Sequence, residues 1–323
     1  MGSPIKPKNK LFLAHSLLAM VALFYGANYS IASIVLKETS LPPAGFILVR
    51  VGIALVLFIL TALIFVRETI QSKDLLRVFL CAIFGVAFNQ LTFFEGLLRT
   101  SNIHAALLMT ATPLLVLVFA LVFKQENWSK YKFAGILIGM SGAVLLISNA
   151  QSQGQSSSII GDLFIFVNAS SFALYLVLVR RLMAKYHPIT ITAYTFAFGF
   201  LLVLPFGYQQ CMDTDWSAFT HKHWLSLGFV VFASTYLAYL FNNVAIRLTS
   251  STVVSSYIYF QPLIAGFISI YFFGESLEMY HILSMVLIFW GVYLVSFYAK
   301  KRREKANIEQ NQEILETIPY QES

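Results

Sequence analysis

Ten stretches of roughly 16–26 mostly apolar residues follow one another along this chain, separated only by short polar breaks. At about 1.5 Å per helical residue, such a run crosses a hydrocarbon core of about 30 Å. No water reaches a backbone N–H or C=O inside that core, so each run has to satisfy its own hydrogen bonds as a helix. The runs lie near 11–36, 43–66, 75–97, 101–123, 133–149, 159–183, 189–208, 224–246, 251–273 and 280–298. The expected fold is therefore all-α and integral to a membrane, with ten transmembrane helices. Charged residues make up 11% of the chain, against roughly 25% in soluble domains. The connections leave nothing over for a soluble catalytic domain. The start, MGSPIKPKNK, is basic, but the apolar run behind it is too long for a signal-peptide core and is expected to stay as a first helix.

Basic residues orient the spans. With the N-terminus inside, 18 of the 22 Lys and Arg fall in cytoplasmic segments and three (Lys37, Arg99 and Lys222) fall outside, while Arg50 lies within a span. The positive-inside rule then places both termini in the cytoplasm, and the cell (inner) membrane is the expected location. Basic loops against anionic lipid also account for the net charge of +7, so nucleic acid is not needed as a partner. Cys81, near a cytoplasmic helix end, and Cys211, in an outside loop, are expected to lie too far apart for a disulfide.

The chain also repeats. TSNIHAALLMTATP (100–113) aligns without gaps on TSSTVVSSYIYFQP (249–262), and the same offset of 149 relates Pro113 to Pro262, Glu126 to Glu275 and Gly142 to Gly291. This divides the chain into halves at 1–148 and 159–298, joined by a polar linker at 149–158 and followed by a cytoplasmic tail at 299–323. Five helices per half is an odd number, so the second copy enters the membrane from the opposite face. Inverted repeats are typical of secondary transporters, with the substrate site near the midplane between them. Two near-equivalent halves can exchange conformations, which gives inward- and outward-open states of similar energy.

A proline seven residues before an arginine in the second helix (Pro43, Arg50), TSNIHAALLMTATPLL followed by KQENWSKYKFAGILIGMSGAVLL, and its second-half echo from TSSTVV onward resemble the EamA-type permeases of the drug/metabolite transporter superfamily. The resemblance runs over residues 11–298. It implies export of amino acids, other small metabolites or drugs through a central cavity lined by helices 1–4 and 6–9, with the fifth and tenth helices peripheral.

Side-chain polarity inside the spans marks the candidate site. Arg50 stands seven residues from the outer end of its helix, roughly 10 Å deep. A charge at that depth usually faces the bundle interior or a wet cavity. Asn28, Asn89, Gln90 and Asn168 fall in the same outer half, and Met109, Thr112, Tyr175 and Gln261 are further candidate substrate contacts. Two readings of Arg50 stand: it attracts a substrate carboxylate or phosphate, or it is structural, capping helix-end carbonyls or pairing with Glu95 to hold helices two and three together. Cys81, Gly85, Asn89, Thr92 and Gly96 form a small-polar stripe that either packs helices closely or lines a pore. Pro113 and Pro262, mid-span at matching positions, remove backbone hydrogen bonds and make candidate hinges or static bends. His104, near an outer helix end, either relays protons or is incidental, and Asp162 is expected to be a helix-start acid favoured by the dipole. Asn242 and Asn243 either gate or cap the inner end of helix eight.

Enzymatic chemistry finds no support in this pattern. The six histidines are scattered and no HExxH or carboxylate cluster occurs; His221 and His223 with Asp213 and Asp215 either make an exterior metal site or, as is usual in a polar loop, are simply solvated. No cofactor or metal is expected. No Asp or Glu lies in the middle third of any span, which disfavours exchange of cationic drugs for protons at a central carboxylate. The expected partners are a small metabolite and membrane lipid, and a chain carrying both halves is expected to work as a monomer.

Overall fold

A computed structural model describes residues 7–66, 68–125, 129–149, 158–249, 251–274, 276–291 and 293–294. Among these residues all regular structure is helical. Eight helices are long and apolar enough to cross a membrane: α1 (Pro7–Glu38), α2 (Pro43–Phe65), α3 (Ser72–Arg99), α4 (Asn102–Val122), α6 (Ile159–Met183), α7 (Pro188–Met212), α8 (His221–Leu248) and α9 (Val253–Phe273). Between and after them, α5 (Lys130–Ser148) and α10 (Met279–Gly291) are shorter, the apolar part of α5 running over Phe133–Leu145. The landmarks Glu126 and Glu275, most of the 149–158 linker and the tail from 299 lie outside the described residues.

Bonds between connecting segments define two faces of the bundle. On the first face, Lys222 Nζ donates to both oxygens of Glu38 at 2.8 Å, and Ser158 N donates to the Arg99 carbonyl at 3.0 Å. On the second, Lys185 Nζ donates to Gln71 Oε1 at 2.8 Å and pairs with Asp74, while His187 N donates to Glu68 Oε2 at 2.8 Å. The Asp74 carboxylate beside Lys185 raises the pKa of its ammonium above the usual lysine value. Burial, helped by the charge of Arg247, holds the His187 imidazole below the ordinary histidine value.

Local sequence explains where the helices start and break. Pro43 and Pro188 occupy the first turns of α2 and α7, where a missing N–H costs nothing, and Ser101 and Ser158 cap α4 and α6 through their hydroxyls. Pro113 and Pro262 are also first-turn residues: α4 pauses at Thr110–Ala111 and restarts at Thr112, and α9 passes through a 3-10 turn at Tyr257–Phe260 and restarts at Gln261. The third and eighth helices each contain a π turn, Ile83–Ala87 and Phe232–Leu237. A π turn misaligns the backbone ladder and leaves carbonyls for other donors. Ser171 Oγ reaches the Phe84 carbonyl at 2.8 Å, and Tyr239 OH reaches that of Gly85 at 2.5 Å.

Small residues let the helices approach. A Cβ on Gly85 would stand 2.4 Å from the Tyr175 ring, and one on Gly96 would stand 2.9 Å from the Gly161 carbonyl, so α3 and α6 touch nearly backbone to backbone. The small-polar stripe of α3 is therefore mainly this packing seam. Gly142 and Gly291 serve the same purpose between α5 and α10, where added Cβ atoms would meet the carbonyls of Ser284 (2.7 Å) and Gly135 (2.4 Å). The opposite side of α2, with Ile53, Val56, Leu60 and Leu63 exposed, presents an apolar surface suited to lipid.

Candidate functional site

Residues of α1, α2, α3, α4, α6, α8 and α9 surround one cavity. Asn28 of α1, Arg50 of α2, Asn89 and Gln90 of α3, Met109 of α4, Asn168 of α6 and Gln261 of α9 all line it. Aromatic rings form the rest of the wall, chiefly Tyr25, Tyr29, Phe93, Phe94, Phe172 and Tyr239. Sequence reading missed these rings, because aromatic residues recur along every span and only packing tells which turn inward.

Arg50 is buried, 4% exposed, and points into this polar interior. Its Nε donates to Thr235 Oγ1 at 2.9 Å, and the guanidinium carbon stands 4.8 Å from the centroid of the Phe94 ring. Both contacts lower the cost of burying the charge, the ring through its negative face. Among the described residues no carboxylate pairs with it. The expected alternative, a pair with Glu95, is corrected: Glu95 pairs with Arg99 one turn further along its own helix.

The amides divide their bonds between holding helices and facing the cavity. Asn89 Nδ2 donates to the Asn168 carbonyl at 3.2 Å, and Asn168 Nδ2 donates to the Asn89 carbonyl at 2.6 Å, a reciprocal clasp between α3 and α6. Gln90 Nε2 donates to Tyr239 OH at 3.2 Å. Ser234 Oγ donates to Asn28 Oδ1 at 2.7 Å, and Tyr29 OH donates to Gln261 Oε1 at 3.0 Å. Two amide oxygens, Gln90 Oε1 and Asn168 Oδ1, are buried without any partner. A buried acceptor left unpaired costs about 1–3 kcal/mol.

Two expected contacts lie apart from the cavity. Tyr175 sits two turns beyond Asn168 toward the second face, where its OH donates to Asn243 Oδ1 at 3.0 Å. Asn243 Nδ2 in turn donates to Thr192 Oγ1 at 2.8 Å, so Asn243 ties α6, α7 and α8 together rather than capping a helix end. Thr112 is buried beyond the break in α4, with its Oγ1 unpartnered. The loop histidines form no cation site: His223 accepts from Thr220 N at 3.2 Å, Asp215 caps Ser217, and no group of three potential ligands gathers among the described residues. Both cysteines are buried and free.

Asp162 lies in the first turn of α6, as expected of a helix-start acid. His104 is not incidental: both residues are buried, and they are joined to each other, as described below.

Residues 12–148 and 159–297 each match the EamA-like transporter family. Among relatives, the chain is 27% identical over 281 residues to "Uncharacterized transporter YyaM" of Bacillus subtilis, covering 85% of this chain and 90% of that protein. It is also 27% identical over 290 residues to an "Uncharacterized transporter" of Archaeoglobus fulgidus, covering 87% and 96%. One crystal structure superposes with a TM-score of 0.59 at 16% identity, covering 88% of this chain and 98% of the other, a likeness of fold. The apolar helices make the chain a multi-pass membrane protein, and the family makes it a permease rather than an enzyme. With both halves matched, the chain belongs to the EamA-like transporter family.

Proposed function

We propose that this chain exports amino acids or closely related zwitterions by alternating access, as a monomer in the cell (inner) membrane. In this reading ten spans form two inverted five-helix halves, 1–148 and 159–298. Both termini are cytoplasmic, the first face is exterior and the second cytoplasmic. One observation supports the choice of substrate: the residues lining the cavity include Arg50, which has no carboxylate partner among the described residues, and Gln90 and Asn168, each with a buried amide oxygen that has no donor. A substrate carboxylate would supply the missing anion, its ammonium the missing N–H groups, and its side chain would rest on the Phe93, Phe94 and Phe172 rings. Each group that costs free energy in the empty cavity gains a partner, which is how a site favours a zwitterion over a simple cation.

The ion pairs at the faces, Glu38–Lys222 and Asp74–Lys185, are suited to open in turn, because each joins a segment of one half to a segment of the other. The restarts at Pro113 and Pro262 and the two π turns give the helices around the cavity places to bend. Substrate carried past them needs no covalent chemistry.

Counterflow tests the reading. Purified protein in liposomes loaded with unlabelled amino acids should accumulate labelled amino acids in preference to sugars, nucleosides and quaternary ammonium ions. Arg50→Ala should lose that uptake while keeping its expression and melting temperature. Robust transport of a quaternary ammonium ion with amino acids ignored would overturn the proposal, and loss of folding in Arg50→Ala would make the arginine a structural residue.

A further inference from the structure

The interior holds a second polar cluster, close to the first face and apart from the cavity lining. Asp162, fully buried four residues past the Ser158 cap of α6, accepts from the Thr100 hydroxyl at Oδ1 and faces His104 Nδ1 at 2.9 Å through Oδ2. On the far side of the imidazole, Nε2 stands 2.9 Å from the hydroxyl of Tyr280, which is half-buried and lies next to the loop of the first face. A continuous line of hydrogen-bonding atoms thus leads from that face through Tyr280 and His104 to a carboxylate sealed from solvent. The cluster joins α4 of one half to α6 and α10 of the other.

Among the described residues, the charged and titratable groups around the pair come from three segments. Arg99 is committed to Glu95. The ring of His281 packs 4.8 Å from His104, with its Nδ1 accepting from Glu278 N at 2.9 Å and its Nε2 buried without a partner. Glu278 accepts from Ser276. No lysine or arginine in this set neutralises Asp162, so the helix N-terminus, Thr100 and His104 hold its charge. At the positions related by the offset of 149, His104 becomes Val253 and Asp162 answers to Leu13, so the acid–imidazole pair has no counterpart in the repeat.

We propose that the Asp162–His104 pair, reached through Tyr280, is a proton-binding site that couples transport to the proton gradient. The proposal rests on the transport reading above. With Asp162 ionised, His104 keeps its Nδ1–H toward Oδ2 and accepts the Tyr280 hydroxyl proton at Nε2. An incoming proton bonds to Nε2, the Tyr280 O–H turns away so that its oxygen accepts instead, and the pair becomes imidazolium–carboxylate. No other bond changes, and release reverses the step. The uptake cancels the net negative charge of the buried cluster, and a buried net charge is what a low-dielectric interior disfavours. Because α4 also carries Met109 into the cavity wall, the protonation state and the cavity share a helix.

The test separates coupling from transport. Liposomes carrying the wild type and a labelled amino-acid mixture are assayed by counterflow at equal pH and then under an imposed pH gradient, with a trapped pH dye reporting proton flux. The wild type should show substrate-dependent proton movement and roughly tenfold steady-state accumulation per pH unit for one proton per solute. Asp162→Asn and His104→Gln should keep counterflow to within about twofold while losing the gradient response and the dye signal, and Tyr280→Phe should slow the dye signal. Wild-type counterflow without any gradient response would overturn the coupling and leave the transport reading intact. Parallel loss of counterflow and melting temperature in both Asp162→Asn and His104→Gln would reduce the cluster to a structural clasp. Absence of counterflow for every amino acid would remove the transport reading and the coupling with it.

Discussion

The two halves keep the same backbone irregularities and differ in the side chains hung on them. The π turn at Ile83–Ala87 recurs at Phe232–Leu237, and the restart before Pro113 recurs before Pro262, all at the offset of 149. Gln90 even hydrogen-bonds Tyr239, the residue 149 positions on, so a residue and its own counterpart meet. The chemistry is not repeated. Asn89 answers to Ala238 and Gln90 to Tyr239, and seven residues past the helix-starting proline, Arg50 in α2 answers to Thr195 in α7. The places where helices bend occur twice, whereas the cation and most of the amides facing the cavity belong to the first half. In the proposed transport cycle, bending has to work the same way toward either face, but a small asymmetric solute needs only one set of recognition groups.

The largest test of that contrast exchanges the unequal partners. Arg50→Ala should cost amino-acid counterflow about thirtyfold or more, the scale of removing one member of a desolvated charge contact, whereas Thr195→Ala should leave it within about twofold. Comparable losses from both would mean that the cation is not the recognition group. Next is the contact between counterparts: Tyr239→Phe strands the Gly85 carbonyl and should destabilise the protein by about 1–3 kcal/mol, read as a fall in melting temperature in detergent. Gly199→Ala presses a methyl to 2.5 Å from Val86 Cγ1 beside the π turn of α3, and an overpacked contact of this kind costs about 1–3 kcal/mol. Val86→Ala removes the Cγ1 clash and should recover part of the melting temperature in the double variant, with the Cβ contact at 2.8 Å remaining. The smallest effect lies on the second face. The pKa of His187 is held down by burial, so the unfolded chain binds its proton more readily, and stability is lost as pH falls through and below the ordinary histidine value. The melting temperature should therefore drop slightly more between pH 7.5 and 5.5 in the wild type than in His187→Gln, with both pH values set by the roughly 6.5 reference of histidine.

Much of this architecture is legible in the sequence because the membrane forces it. Apolar length gives the helices, and the depth of Arg50, Asn28, Asn89, Gln90 and Asn168 along them gives a shared polar level. Depth does not give direction. Tyr175 shares a helical face with Asn168 but lies about 10 Å further along at 1.5 Å per residue, which puts it beyond the cavity. The pause at Thr110–Ala111 turns Thr112 away, and a proline alone does not say how far a helix rotates when it restarts. The π turns have no signature in IFGVA or FASTYL, since they arise from the fit between helices. Asp162 and His104 are 58 positions apart, and only folding shows that a helix-start acid and a lone histidine are partners.

The central claim is that the cavity opens to one face at a time, and crosslinking tests it most directly. In a chain with Cys81→Ser and Cys211→Ser, a short bifunctional maleimide would bridge either Glu38→Cys with Lys222→Cys or Gln71→Cys with Lys185→Cys, with Asn28→Cys in the cavity reporting access. Each bridge alone should stop amino-acid counterflow and leave Asn28→Cys open to an impermeant thiol reagent from the unbridged side only. Counterflow that continues through a bridged face, or labelling from both sides of one bridged protein, would contradict the account.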